Sequence, residues 1–313
     1  MIAVFYFAVL CLAWGSTWIA IKIGVMDAPP LTYAGTRFVA AGILVLGFQW
    51  LRGGRAAIAV AKADRWRLFG VSALVIAVCF GLIFWGERHV SAGLTAIVVQ
   101  GLIPIALPLF AAITAVEPLT RARMVAAAIG VTGLAIVFAP TAATPGTTLG
   151  LVGLLAITAG TLAYCAGSVR SRAILSRHSA VSIAGWQSLI GGFLAILAAA
   201  FLEPNAITEI DRFFLPHVLA AWLWLVLVGS VVGFVLYIVL LKEWGASRVS
   251  VYAFVTPLVA IVLEAVILGE VVAPLEAGGA AVLFLAVWIS LKPPAFLDKP
   301  LRPKAMVSAD RQA

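Results

Sequence analysis

The stretch Pro216-HVLAAWLWLVLVGSVVGFVLYIVL-Leu241 decides the fold, because its 26 residues contain no Lys, Arg, Asp or Glu. An α-helix rises about 1.5 Å per residue and the hydrocarbon core of a bilayer is about 30 Å thick, so roughly 20 apolar residues cross it. This run is longer than that. A continuous helix also satisfies every backbone hydrogen bond internally, as a segment without water must.

The pattern recurs on both sides of this run. Charged, Gly/Pro or polar connections separate further apolar stretches near Ile2 to Val25, Leu31 to Leu51, Leu68 to Trp85, Ser91 to Val116 and Met124 to Phe138. In the second half they lie near Leu149 to Val169, Ala180 to Leu202, Ser247 to Leu268 and Val272 to Leu291. The expectation is an all-α integral membrane protein of ten spans, the fourth kinked by Pro104 and Pro108. Composition agrees: 64% of the residues are apolar and 11% charged, too few polar groups to cover a soluble surface. Cys11, Cys79 and Cys165 fall inside apolar runs without paired spacing, so structural thiols are expected, and neither a metal nor any other cofactor. Met1 to Ala13 has no basic residue before its apolar run, which continues past any cleavage site, so it reads as a retained first span.

The net charge of +8 does not point to nucleic acid, because the basic residues are not gathered on one face. They alternate between connections instead. Arg52, Arg55, Lys62, Arg65, Arg67, Arg121, Arg123, Arg170, Arg172, Arg177, Lys242, Arg248, Lys292, Lys299, Arg302, Lys304 and Arg311 lie on one side, against Arg88 and Arg212 on the other. By the positive-inside rule this predicts an inner (plasma) membrane protein with both termini in the cytoplasm. An even number of spans follows. Trp50, Trp66, Trp85, Trp222, Trp244 and Trp288 stand at the expected span ends, where an indole prefers the headgroup region.

Splitting the chain in the uncharged connection from Pro140 to Thr148 brings out an internal repeat. Pro104 precedes Pro257 by the same interval that separates Glu117 from Glu270. Each half then holds five spans, an odd number, so the second copy enters the membrane upside down. The expected organisation is a first five-helix repeat over 1–140, a second, inverted one over 149–291, and a disordered cytoplasmic tail over 292–313.

The order and spacing of several short motifs resemble the EamA-type ten-span members of the drug/metabolite transporter (DMT) superfamily. They are Ala13-Trp14-Gly15-Ser16-Thr17 with Ile21-Lys22, Pro30 with Arg37-Phe38, and Glu87-Arg88 with Ser91-Ala92-Gly93. Trp186-Gln187, Gly245-Ala246-Ser247, Pro257 and Gly269-Glu270 complete the set. The resemblance covers roughly residues 4–291. It implies two inverted five-helix repeats, alternating access through a central cavity, and export of amino acids or other small metabolites. One position departs from it: many relatives carry an acid before the ninth-span proline, where this chain has Thr256.

Charges within spans are costly and mark functional candidates. Lys22, Arg37 and Glu264 lie about 5, 9 and 6 Å inside the outer ends of their spans at 1.5 Å per residue. They read as an outer gate in which Glu264 pairs with Lys22 or Arg37, the remaining cation attracts a substrate carboxylate, and protons are the candidate coupling ion. The bland alternative is a snorkelling Lys22 beside a static pair. Candidates for the cavity lining are Trp14, Ser16, Thr17, Trp18, Gln100, Tyr164, Trp186, Gln187, Tyr237, Tyr252 and Thr256, with helix packing as the competing role of each. Trp14 stands out because its indole N–H at that depth needs a partner. Pro104 and Pro257 are hinge candidates, or packing kinks.

Two other classes compete. A membrane-embedded enzyme needs converging catalytic groups, yet His89, His178 and His217 stand at or outside span ends and no catalytic or phosphate-binding motif occurs. A channel or structural membrane subunit is the other alternative, and no selectivity loop is recognisable. The reading is therefore a secondary active transporter whose partners are a small-molecule substrate and the lipid bilayer, not nucleic acid.

Overall fold

A computed structural model of the chain describes residues 2–90, 92–142, 148–206, 210–263, 274–299 and 301. Helices and short connections make up this part, with no strand among the described residues. Helix α1 runs as Ile2–Gly15 and Thr17–Asp27, α2 as Pro30–Ile58, α3 over residues 65–87, α4 as Ala92–Ile113 and α5 as Arg121–Ala142. Next come α6 (Thr148–Leu175), α7 (Ala180–Leu202), α8 (residues 216–244), α9 (a turn Ala246–Val249, then Tyr252–Leu263) and α10 (Pro274–Leu291). Six of them, α1, α2, α3, α6, α7 and α8, are long and apolar enough to cross a membrane.

Local chemistry sets the helix ends. Pro30 and Pro216 occupy first-turn positions of α2 and α8, where a missing N–H costs nothing. Gly245 ends α8 at φ +84, a backbone region that side chains with a Cβ rarely enter. The outside of the bundle is apolar, with Phe5, Phe48, Leu155, Phe193, Phe201 and Phe284 more than half exposed. Around a soluble protein that surface would aggregate; facing lipid tails it is the low-energy arrangement.

The helices pair in a regular way. Helix α2 packs on α7 and α5 on α10, while α1 lies against α8 and α9 as α6 lies against α3 and α4. Small residues allow the α2–α7 contact, since a Cβ built on Gly192 would stand 2.6 Å from the Val39 nitrogen and 2.8 Å from the Gly35 carbonyl oxygen. Two stretches, Ala73–Val78 in α3 and Leu225–Phe234 in α8, are wound more widely, with i→i+5 turns that re-aim backbone groups.

Polar contacts tie helices together at each end of the bundle. At the end rich in Arg and Lys, Asp64 meets His178 at 3.0 Å and Arg177 at 3.3 Å, and the Lys242 ammonium donates to the His178 carbonyl at 2.9 Å. There too the tail docks on the start of α5: Arg121 and Ala122 N–H donate to the Lys299 and Leu297 carbonyls, and Leu301 N–H to Leu119. At the opposite end, Glu203 accepts the Leu31 N–H at 2.7 Å, the Thr32 N–H at 3.0 Å and the Thr32 hydroxyl at 2.8 Å, capping α2. His217 lies 2.9 Å from Asp27 at the same end.

Candidate functional site

A cavity lies between the two halves of the chain, with about 750 Å³ of atom-free space when its open mouth is included. Helix α1 contributes Trp14, Thr17, Trp18 and Ile21 to its wall, α2 Arg37 and Phe38, and α3 Cys79, Phe80, Ile83 and Phe84. Helix α4 adds Val99, Gln100 and Ile103, α6 Thr161 and Tyr164, α8 Gly229 and Phe234, and α9 Tyr252 and Thr256. Residues such as Ile21, Ile83 and Phe84 place the space in the half of the bundle away from the basic end.

Below it, toward the basic end, aromatic rings form a floor. Trp14 lies 5.3 Å from Tyr237 and 4.7 Å from Tyr252, and Tyr164 lies 5.4 Å from Tyr237, between ring centroids. The Tyr252 hydroxyl donates to that of Tyr164 at 3.3 Å. The Trp14 indole donates to the Gly229 carbonyl at 3.0 Å, inside the widely wound part of α8, which answers its need for a partner. The Thr256 hydroxyl donates to the Gln100 side-chain oxygen, joining α9 to α4 in mid-bundle.

Further toward the basic end, Glu117 in the α4–α5 connection ties three parts of the chain together. Its carboxylate pairs with Arg172 of α6, accepts the Ala246 N–H at 2.7 Å and the Ser247 N–H at 3.2 Å at the start of α9, and lies 3.9 Å from Arg123. An acid at a helix N-terminus is favoured by the helix dipole as well as by these hydrogen bonds. Gly245 lets it approach, because a Cβ there would meet the Glu117 carboxylate.

Seven of the eleven lining candidates stand in the wall: Trp14, Thr17, Trp18, Gln100, Tyr164, Tyr252 and Thr256. The other four do not. Ser16 turns its hydroxyl to the Ala13 carbonyl and accepts from Trp224. Trp186 donates to the Ile58 carbonyl at the basic end of α2, and Gln187 donates to Ser171 at 2.8 Å, so both serve helix contacts. Tyr237 is fully buried within the floor. Depth along a span was legible for these four, but the face that meets the cavity is set by packing.

Of the gate candidates, Arg37 lines the cavity, whereas Lys22 is not among the lining residues and its ammonium donates to the Glu87 carbonyl at 3.3 Å. Glu264 lies outside the described residues, and so does its pairing. Pro104 and Pro257 lie inside α4 and α9, one turn after Gln100 in the wall and the buried Ala253. Sequence reasoning passed over Phe80, Phe84, Thr161, Ser230 and Glu87. Glu87 is fully buried with neither carboxylate oxygen hydrogen-bonded among the described residues.

Profile comparison matches the EamA-like transporter family over residues 1–139 and 151–292, nearly the whole chain. The chain belongs to the EamA-like transporter family. It is a membrane transporter of the EamA/DMT type, and several of its relatives are named as transporters or efflux pumps. The uncharacterized inner membrane transporter YedA of Escherichia coli (strain K12) is 28% identical over 93% of this chain and 92% of its own. A protein named a probable amino-acid metabolite efflux pump in Salmonella typhimurium is 23% identical over 89% of this chain and 91% of its own. The uncharacterized transporter YvbV of Bacillus subtilis is 24% identical over 84% and 83%. A solved crystal structure superposes with a TM-score of 0.76 at 18% identity, covering 95% of this chain and 97% of that one, a likeness of fold. Family and relatives point to transport and not to enzymatic catalysis.

Proposed function

We propose that this EamA-family member is a secondary active carrier that exports amino acids or related amphipathic metabolites by alternating access. The observation that carries the reading is the asymmetry of the cavity: space on one side of mid-bundle, and on the other an aromatic floor backed by the Glu117–Arg172 contact. With the basic connections in the cytoplasm, this is a conformation closed to the inside. Several features support a ten-span fold of two inverted five-helix repeats. The α1 contacts with α8 and α9 match those of α6 with α3 and α4, while α2–α7 and α5–α10 join counterparts. The family match also falls in two stretches, divided between residues 139 and 151.

In this reading the halves move about their shared contacts, with Pro104 and Pro257 as hinges and Lys22 closing the rim, paired with Glu264 in the closed state. Protons are the proposed coupling ion. The likeness to the amino-acid metabolite efflux pump supports an amphipathic cargo. The test is a screen of the reconstituted protein with amino acids and small aromatic acids or amines, with and without a pH gradient. Saturable movement of one class supports the reading. If no compound moves and none raises thermal stability, the metabolite-carrier reading fails.

A further inference from the structure

Among the described residues Arg37 is the charged side chain in the cavity wall, and nothing described neutralises it. The residue is 4% exposed. Its Nε donates to the Ser230 hydroxyl at 3.1 Å, while Nη1 has no hydrogen-bond partner among the described residues. Aromatic rings hold the guanidinium: its carbon lies 4.5, 5.3 and 5.7 Å from the centroids of Phe38, Phe80 and Phe84. None of the ion pairs among the described residues includes it.

Such an arrangement is costly unless it is used. A guanidinium stays protonated under any condition a protein survives, so it cannot escape burial by losing charge. Contacts with aromatic faces recover only part of what a desolvated ion costs. The rings hold the group in the cavity wall, and Nη1 keeps unused donors there. A planar cation with free N–H groups matches a carboxylate, which can accept two parallel hydrogen bonds.

The rest of the wall sets the remainder of the ligand. No Asp or Glu lines the described cavity, so an ammonium group would find only neutral acceptors, and Gln100 already accepts from Thr256. Trp18, Ile21, Ile83 and Ile103 offer apolar surface. We infer that Arg37 is the carboxylate anchor of the cavity, and that the cargo is a small monoanionic carboxylate with an apolar or aromatic body, not a cation. This rests on the carrier reading and narrows its substrate class.

The experiment uses four probes with one body: 3-phenylpropionate, phenylalanine, phenethylamine and 3-phenylpropanamide. Binding to the full-length protein in detergent is read by isothermal titration calorimetry, and movement from counterflow in proteoliposomes with the leak of protein-free vesicles subtracted. The acid is expected to bind at least tenfold more tightly than the amine or the amide. Arg37→Lys should weaken it about tenfold, and Arg37→Gln should erase the preference for acid; the wild-type comparison decides the matter if that variant does not fold. In Glu264→Gln the preference should persist. The inference is overturned if amine or amide binds as tightly as acid, if no probe binds, or if acid preference appears only in Glu264→Gln. Trans-stimulated movement of the amine would leave the carrier standing and remove the carboxylate anchor. Arg37-dependent binding of the acid without any movement would do the reverse.

Discussion

Replacing Glu117 with Ala should open the basic end of the protein. The carboxylate accepts two backbone N–H groups at the start of α9 and pairs with Arg172, whose side chain is 27% exposed. Capping hydrogen bonds of this kind contribute about 1 kcal/mol each, and a partly exposed ion pair up to about 1 kcal/mol. These contacts exist only while the α4–α5 connection, α6 and α9 are together, so their loss acts on the closed state alone. The sum, about 2–3 kcal/mol, shifts the ratio of closed to open forms by roughly 30- to 150-fold. Cys79 in the cavity wall is a built-in reporter. With Cys11 and Cys165 replaced by Ala, a membrane-impermeant maleimide applied to inside-out vesicles should label Cys79 more than tenfold faster in Glu117→Ala than in its parent. Glu117→Gln, which keeps one acceptor, should fall between. Labelling within twofold of the parent, in protein that still elutes as a single folded species, refutes the argument that Glu117 holds this end shut.

Two other substitutions test the frame around the cavity. Gly192→Val pushes methyl groups into the α2 backbone, where a bare Cβ already stands 2.6 Å from the Val39 nitrogen, and should lower stability by about 3 kcal/mol, read as thermal unfolding in detergent. Gly47→Ala, at a position with open space around its Cβ, is the control and should leave the unfolding temperature unchanged or slightly raised. Glu203→Ala removes three acceptor contacts from the first turn of α2 and should cost about 1–2 kcal/mol in the same assay, with Glu203→Asp recovering part of it.

How much of this was legible in the sequence depended on the range of the interaction. Apolar runs are local, so the six helices long and apolar enough to cross a membrane cover the apolar stretches read there. Trp14, Thr17 and Gln100 were recognisable because a polar or aromatic group in mid-span stands out against its neighbours. The face each side chain presents is a tertiary property. Trp186 and Gln187 have the same chemistry as the wall residues but turn to Ile58 and Ser171. Arg37 was legible as a buried charge, whereas its cradle of Phe80 and Phe84 lies some 43 to 47 residues away on α3, in a run that reads simply as apolar. The wide turns of α8 that bring Gly229 and Ser230 to Trp14 and Arg37 carry no sequence signature. Glu117 was legible only as the counterpart of Glu270 in the internal repeat. That it caps a helix 129 residues later required the fold.

The central claim, that the two halves expose one cavity to each side in turn, is tested most directly by counterflow. Vesicles containing the purified protein are loaded with an unlabelled monocarboxylate that binds it, then diluted into a trace of the same compound carrying a label. Alternating access predicts a transient accumulation of label above its outside concentration, absent from empty vesicles and sharply reduced in Arg37→Gln. Entry of label that never exceeds equilibrium and rises linearly with concentration would contradict the account.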